Sequence, residues 1–143
     1  MTYAHLVLGV SVVASTAVAG VFGAFTWLRG KPSRAFWALL RVAQAAVVAQ
    51  VALGLALIAV GRSAGGLHIL YGVSLLVVSL VSEAMRVGMA QRAIEEAGDY
   101  SALPEADQVE LARRVLVLET GVMTIGLLLN VTLALRALVA GVG

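Results

Sequence analysis

The sequence contains no cysteine and few charged residues, and each shortage excludes a class of protein. Without cysteine the chain can form no disulfide, bind no iron–sulfur cluster through thiolates and carry out no thiol chemistry. Charged residues make up 13% of the chain, whereas a soluble domain carries about 25%. The chain also has no basic patch with interleaved aromatic residues, so we predict no binding to nucleic acid. These shortages favour an integral membrane protein.

Four long apolar runs account for the hydrophobic content, which is 61% of the residues. Each run is long enough to cross a lipid bilayer as a helix, and short turns rich in glycine or polar residues separate the runs. We predict one all-α domain over residues 1–143, an up-down bundle of four transmembrane helices at about 4–29, 34–60, 66–97 and 104–140. The third and fourth helices continue beyond their apolar parts, so we expect them to extend into the cytoplasm.

The basic residues predict the orientation of this bundle, because such residues concentrate on the cytoplasmic side of a membrane. Only Arg62 and Arg136 lie near one predicted face, and the other eight lie near the opposite face. Both longer connections are therefore predicted in the cytoplasm and both termini outside. Nine of the ten basic residues are arginine, and small apolar residues dominate, which is typical of a GC-rich bacterial genome. We expect a multi-pass protein of the bacterial cytoplasmic (inner) membrane. The eight basic residues near the predicted cytoplasmic face are Arg29, Lys31, Arg34, Arg41, Arg86, Arg92, Arg113 and Arg114.

The third apolar run, from Leu67 to Arg86, carries the most informative polar residues. A helix with one polar stripe and otherwise apolar faces packs with that stripe turned away from lipid. We therefore expect the stripe to face the interior of the bundle, with Glu83 beside it. At helical spacing the stripe consists of His68, Tyr71, Leu75, Ser79, Ser82 and Arg86.

Four charged residues fall at a similar depth on the predicted cytoplasmic side when the runs fold into a bundle: Arg41, Glu83, Arg86 and Glu119. Isolated charges are costly in hydrocarbon, so we expect these residues to pair as a buried charge cluster. One interpretation is an ionic clamp that fixes the register of the helices. The other interpretations are a proton path or a docking site.

His5 and His68 begin the first and third predicted helices, so they enter the bundle from the same side. Facing imidazoles across a bundle core commonly hold a b-type haem. Tyr71 and Gly72 are further candidate cofactor-binding residues. Gly72 and Gly54 would leave room for a porphyrin. Tyr71 also fits an interfacial aromatic belt. Two other interpretations stay open: histidines at the interface without any ligand, and a metal site, for which the outer side offers no third ligand.

Two resemblances to known families follow from short motifs. The segment Gln50-x-x-Leu53-Gly54 followed by His68 is similar to half of a haem A synthase bundle, and this resemblance implies haem binding. It covers about one helical hairpin, and the histidines here lie on the first and third helices, whereas that family's half-bundle ligands come from its second and fourth. A wider set of segments resembles a family of small, uncharacterised four-helix membrane proteins of actinobacterial type, which implies the fold and no particular activity. These segments are Phe36-Trp37 through Arg41, Gln44, Gln50 and Gly54, then Leu67 to Gly72, Glu83 to Arg86 and Glu119 to Met123.

The sequence favours a protein that is not an enzyme, because it offers no hydrolytic triad and no outer carboxylate pair with a nucleophile beside it. Our leading hypothesis is an accessory, assembly or interaction subunit in the lipid bilayer, which contacts other membrane subunits, such as those of a respiratory complex, or copies of itself. The alternative is a b-type haem protein that carries electrons through an outer site at His5 and His68. A second alternative is a small oligomeric channel or transporter. The sequence leaves the cofactor undetermined and names haem b as the candidate.

Overall fold

The computed structural model describes residues 3–142 and folds them into four α-helices. The helices are α1 (Tyr3–Leu28), α2 (Arg34–Ala59), α3 (Gly66–Ala97) and α4 (Glu105–Val142). The described residues contain no β-strand, which confirms the predicted all-α class. The predicted domain 1–143 also includes Met1, Thr2 and Gly143, which lie outside the described residues.

All four helices are long and apolar enough to cross a membrane, so the chain has the character of a multi-pass membrane protein. Their apolar spans lie in helices of 26, 26, 32 and 38 residues, whereas a crossing needs about 20. The excess in α3 and α4 lies at the connection between them. Gly98 ends α3 there with a φ of 75°, in the left-handed region that favours glycine.

A 3₁₀ turn at Tyr100–Ala102 completes the connection between α3 and α4. The Asp99 carboxylate accepts hydrogen bonds from the hydroxyl and the backbone amide of Ser101, at 2.6 and 3.0 Å. These two bonds hold the pKa of Asp99 below its usual value, because they stabilise the ionised form. The connection is therefore a defined turn with its own charged cap.

The helices differ in how closely they pack. α1 packs closely on α2 and α4, and α3 packs closely on α4, whereas α2 and α3 contact each other only weakly. Small residues on α1 permit its close approach to α4: a Cβ added at Gly20 would lie 3.1 Å from Cδ2 of Leu128. The weak contact leaves an open seam between α2 and α3.

The two ends of the molecule carry different residues. At one end, which we call the histidine end, the first turns of α1 and α3 meet the last turns of α2 and α4. At the other, the arginine end, Trp27 of α1 packs on Gly121 of α4, and Arg113 of α4 donates a 3.1 Å hydrogen bond to the Gly30 carbonyl. The Gly30 bond attaches the connection between α1 and α2 to α4.

The core between these ends is layered. An apolar layer takes one residue from each helix and lies nearest the histidine end. A polar layer follows one turn further along, around a void of about 10 Å³, and a second apolar cluster from α1, α2 and α4 fills the rest. The first apolar layer consists of Val12, Val47, Leu75 and Ala134, and the polar layer of Thr16, Gln44, Ser79, Ser82 and Asn130.

Candidate functional site

His5 and His68 meet head-on at the histidine end. Their Nε2 atoms are 3.4 Å apart, and their ring centroids are 5.6 Å apart with the planes at 60°. The centroid separation exceeds the nitrogen separation by 2.2 Å, which is close to two imidazole ring radii, so each Nε2 points at the other ring's Nε2. His5 is buried and His68 is half-buried. The structure therefore brings the two predicted histidines together at one point.

A backbone carbonyl determines which nitrogen of His68 carries the proton. Nδ1 of His68 lies 2.8 Å from the carbonyl oxygen of Ala137 in α4. A carbonyl oxygen only accepts, so Nδ1 donates, and Nε2 of the neutral ring presents a lone pair toward His5. Histidines that bind metals are typically held by such a hydrogen bond from the other ring nitrogen. His68 thus has the arrangement of a ligand.

Gln50 of α2 completes the contact. Its Nε2 lies 3.2 Å from Nε2 of His5. With this amide orientation the amide nitrogen donates, and the single lone pair of Nε2 of His5 accepts. With the amide rotated, its oxygen faces Nε2 of His5, and the proton on that nitrogen points toward Gln50 and the lone pair of His68. The three side chains therefore form one polar contact whose proton positions depend on the Gln50 amide.

A cavity of about 530 Å³ adjoins the histidine pair. Residues of all four helices and of the α2–α3 connection line it, and it extends along the open seam between α2 and α3. Val12, Leu75 and Ala134 of the apolar layer form its floor on the side of the arginine end. Its volume lies within the roughly 300–1,000 Å³ of small-molecule and cofactor sites. Its polar lining residues are His5, Gln50, Arg62, Ser63 and His68.

Glycines make room around the histidine pair. A Cβ at Gly54 would lie 3.3 Å from Cε1 of His5, so a larger residue there would press on the ring. A Cβ at Gly72 would meet no atom within 4 Å, because Gly72 faces the open part of the cavity. Tyr71, in contrast, is not among the residues that line the cavity. The structure thus brings Gly72 to the site and leaves Tyr71 outside it.

The four predicted charged residues form one chain of ion pairs toward the arginine end. Glu83 lies 2.6 Å from Nη1 of Arg41 and 2.8 Å from Nε of Arg86, and Arg86 continues to Glu119 at 3.1 Å. Gln44 also donates to Glu83, at 2.8 Å, and accepts from Arg41 at 2.6 Å. Glu83 therefore accepts from three donors and ties α2 to α3, while Glu119 ties α3 to α4.

Burial varies strongly within this cluster. The side chain of Glu119 is 12% exposed and those of Glu83 and Arg86 are 25% and 22% exposed, whereas that of Arg41 is 57% exposed. The expectation of burial is thus wrong for Arg41. The buried face of α2 runs through Leu40, and the next residue along a helix turns away by about 100°.

Sequence reasoning missed two groups that orient the histidines. From the sequence, Gln50 is assigned no contact with the histidines, although a lone amide inside an apolar run is a signal for a buried polar contact. The Ala137 carbonyl leaves no sequence signal at all, because every residue has one. Within residues 3–142, no three His, Cys, Asp or Glu side chains are grouped to hold a metal ion.

The fold and the site define a class: a small, multi-pass helical membrane protein with a facing histidine pair beside a cavity of cofactor size. No protein-family model, curated protein or solved structure matches the chain. Its function is therefore inferred from the geometry of the site.

Proposed function

We propose that the protein is a b-type haem-binding membrane protein that carries electrons, with His5 and His68 as the axial ligands. The observation that carries this proposal is the head-on approach of the two Nε2 atoms. Nδ1 of His68 donates to the Ala137 carbonyl, so Nε2 of His68 presents its lone pair toward His5. A metal between two imidazole nitrogens needs them roughly 4 Å apart, at about 2 Å per bond. The 3.4 Å separation is close to that value, and the adjoining cavity has the volume of a cofactor site.

The residues around the pair fit such a ligand. A haem would supply one-electron chemistry here. Ala137 orients the His68 ring and keeps its Nε2 lone pair directed into the site. Gln50 contacts Nε2 of His5 and would have to turn away from that nitrogen for it to hold the iron. If both histidines held the iron, no protein-free position would remain on it, so electron transfer would be favoured over binding of a substrate or O₂. The apolar floor, with Val12 and Leu75, separates the site from the polar layer and the arginine end.

The same floor disfavours the channel interpretation. Val12, Val47, Leu75 and Ala134 are all buried and come from four different helices, so they close the bundle across its full width. The polar layer below them holds a void of about 10 Å³, roughly enough for a single water molecule. Within residues 3–142 of one chain, the polar groups of the two ends are therefore separated by apolar side chains.

We also propose the membrane arrangement: an up-down bundle in the lipid bilayer of the bacterial cytoplasmic membrane, with the histidine end outside. The eight-to-two distribution of basic residues supports this orientation. The bond from Arg113 to Gly30 supports it further, because it joins both basic connections at the arginine end. The polar ends of α3 and α4 would then extend into the cytoplasm, and the haem would exchange electrons at the outer face.

Absorption spectroscopy tests the haem proposal. The protein purified in mild detergent, with and without added haem, should show a Soret band and the sharp spectrum of a low-spin haem with two histidine ligands. His5→Ala and His68→Ala should each abolish that low-spin spectrum. Tyr71→Phe is the matched control, because Tyr71 lies close to His68 in sequence but outside the cavity lining, and it should keep the spectrum. A colourless protein that takes up no added haem would overturn the proposal and favour the accessory or interaction function instead.

A further inference from the structure

We infer that the cavity at the histidine end recognises an anionic group of its ligand, a carboxylate, through Arg62. This inference rests on the proposed haem site and adds the part of the ligand that lies away from the histidines. Haem combines an apolar ring system with two propionate carboxylates, so it has both features that the cavity offers. Arg62 lines the same cavity as the histidine pair.

The backbone around Arg62 is held in one conformation. Gly61 follows α2 with a φ of 84°, and its amide bonds to the Ile58 carbonyl at 2.9 Å. The Arg62 amide bonds to the Leu57 carbonyl at 3.0 Å, so the two bonds together form the glycine-capped end of a helix. Arg62 is therefore presented at a fixed point on the cavity rim.

The sequence places no acidic side chain at this end. All eight acidic residues lie between Glu83 and Glu119, and the residues 1–82 and 120–143 contain none. Within residues 3–142, each ion pair uses acids of that central segment, and Arg62 takes part in none of them. By contrast, Arg41, Arg86 and Arg113 all have acidic partners. An arginine beside a cofactor-sized cavity thus keeps its charge available for a ligand.

The chemistry of the guanidinium identifies the group it would bind. Its planar fork matches a carboxylate through two parallel hydrogen bonds, and such charge-assisted bonds are stronger than neutral ones. The His68 ring and the apolar walls supply no competing anion. Arg136 is the other basic residue of this end, and it is not among the cavity-lining residues, so it provides a control of equal charge.

The test compares haem with haem dimethyl ester, in which both carboxylates are blocked. Each is titrated into the haem-free protein in neutral detergent, and the affinity is measured from the Soret band. The unaltered protein should bind haem roughly 10-fold to 100-fold more tightly than the ester, as one charge-assisted pair allows. Arg62→Gln should lower the affinity for haem to that for the ester and leave ester binding unchanged. Arg136→Gln should keep the original preference.

The outcomes separate this inference from the function on which it rests. Equal affinity for haem and its ester in the unaltered protein, or equal losses in Arg62→Gln and Arg136→Gln, would overturn the role of Arg62 and leave the histidine site in place. Failure of both compounds to bind would overturn the haem function and this inference together. If Arg62→Gln leaves haem affinity in neutral detergent unchanged but weakens binding of the protein to anionic phosphatidylglycerol, Arg62 pairs with lipid phosphate, and the ligand pairing is refuted.

Discussion

The substitution Glu83→Gln tests whether the charge cluster holds the bundle together. Glutamine keeps the shape of the side chain and removes its charge. Glu83 accepts hydrogen bonds from Arg41 at 2.6 Å, from Gln44 at 2.8 Å and from Arg86 at 2.8 Å. After the substitution Arg86 keeps its contact with Glu119, whereas Arg41 loses its only ion pair within the described residues. The charged contact between α2 and α3 is then gone.

The size of the effect follows from the exposure of each partner. Arg41 is mostly exposed, so its pair with Glu83 counts as a surface ion pair of about 0.5 kcal/mol. The bonds from Gln44 and Arg86 are partly buried and charge-assisted, and each loses about 1–1.5 kcal/mol when the acceptor becomes neutral. Glu83→Gln should therefore lower the free energy of unfolding by about 3 kcal/mol.

The measurement is unfolding in mixed detergent micelles with increasing dodecyl sulfate, followed by far-ultraviolet circular dichroism. Glu110→Gln is the control, because Glu110 forms a 2.7 Å ion pair with Arg113 on an exposed part of α4. A fully exposed pair of this kind contributes little to stability, so Glu110→Gln should change the free energy of unfolding much less than Glu83→Gln. If both substitutions lower the free energy of unfolding equally, the cluster contributes no more than an ordinary surface pair, and the reasoning is refuted.

Three further predictions concern the orientation, the close helix packing and the polar layer. The substitution Ser101→Cys introduces the only thiol of the chain, because the sequence contains no cysteine. An impermeant thiol reagent should leave this cysteine unlabelled in intact cells, and ready labelling would reverse the proposed orientation. Gly121→Val should lower the free energy of unfolding by about 2 kcal/mol or more, because a Cβ there would lie 2.6 Å from Cε2 of Trp27; Gly88→Ala, with nothing within 4 Å of its Cβ, should be neutral or stabilising. Asn130→Leu should cost less than about 1 kcal/mol, because the lost 2.9 Å bond from Nδ2 to Ser79 is offset by removal of the buried Oδ1, which has no partner among the described residues. A larger loss in the same unfolding measurement would contradict this offset.

The helix positions could be predicted closely from the sequence. The third helix was expected over 66–97 and is observed as Gly66–Ala97, and the other helix ends differ from expectation by at most two residues. Long apolar runs leave no ambiguity about helices, and Gly98 stops α3 because its left-handed φ costs glycine little. Ser33 occupies the N-cap position of α2, but its side chain makes no capping hydrogen bond.

The site could be predicted only in part. His5 and His68 could be expected at one end because both begin helices that enter from that side. The open seam between α2 and α3 could not be predicted, since it depends on whether α3 packs more closely on α2 or on α4. The polar stripe of α3 turns toward α4, where Ser79 accepts a 2.9 Å bond from Asn130. α3 packs closely on α4 and only weakly on α2, and the cavity extends along the seam that this leaves. The pattern of a single helix does not carry such information.

The position of the apolar layer decides how much of the membrane voltage a bound cofactor would experience. Moving one elementary charge through a full potential of 100 mV costs about 2.3 kcal/mol. The floor of the cavity at Val12 lies seven residues, or about two helical turns, after His5, so the cavity occupies only the terminal turns of the bundle. Most of the voltage would therefore fall across the layers beneath it. A redox centre between His5 and His68 would equilibrate with the solution on its own side, largely independent of how strongly the cell has energised its membrane.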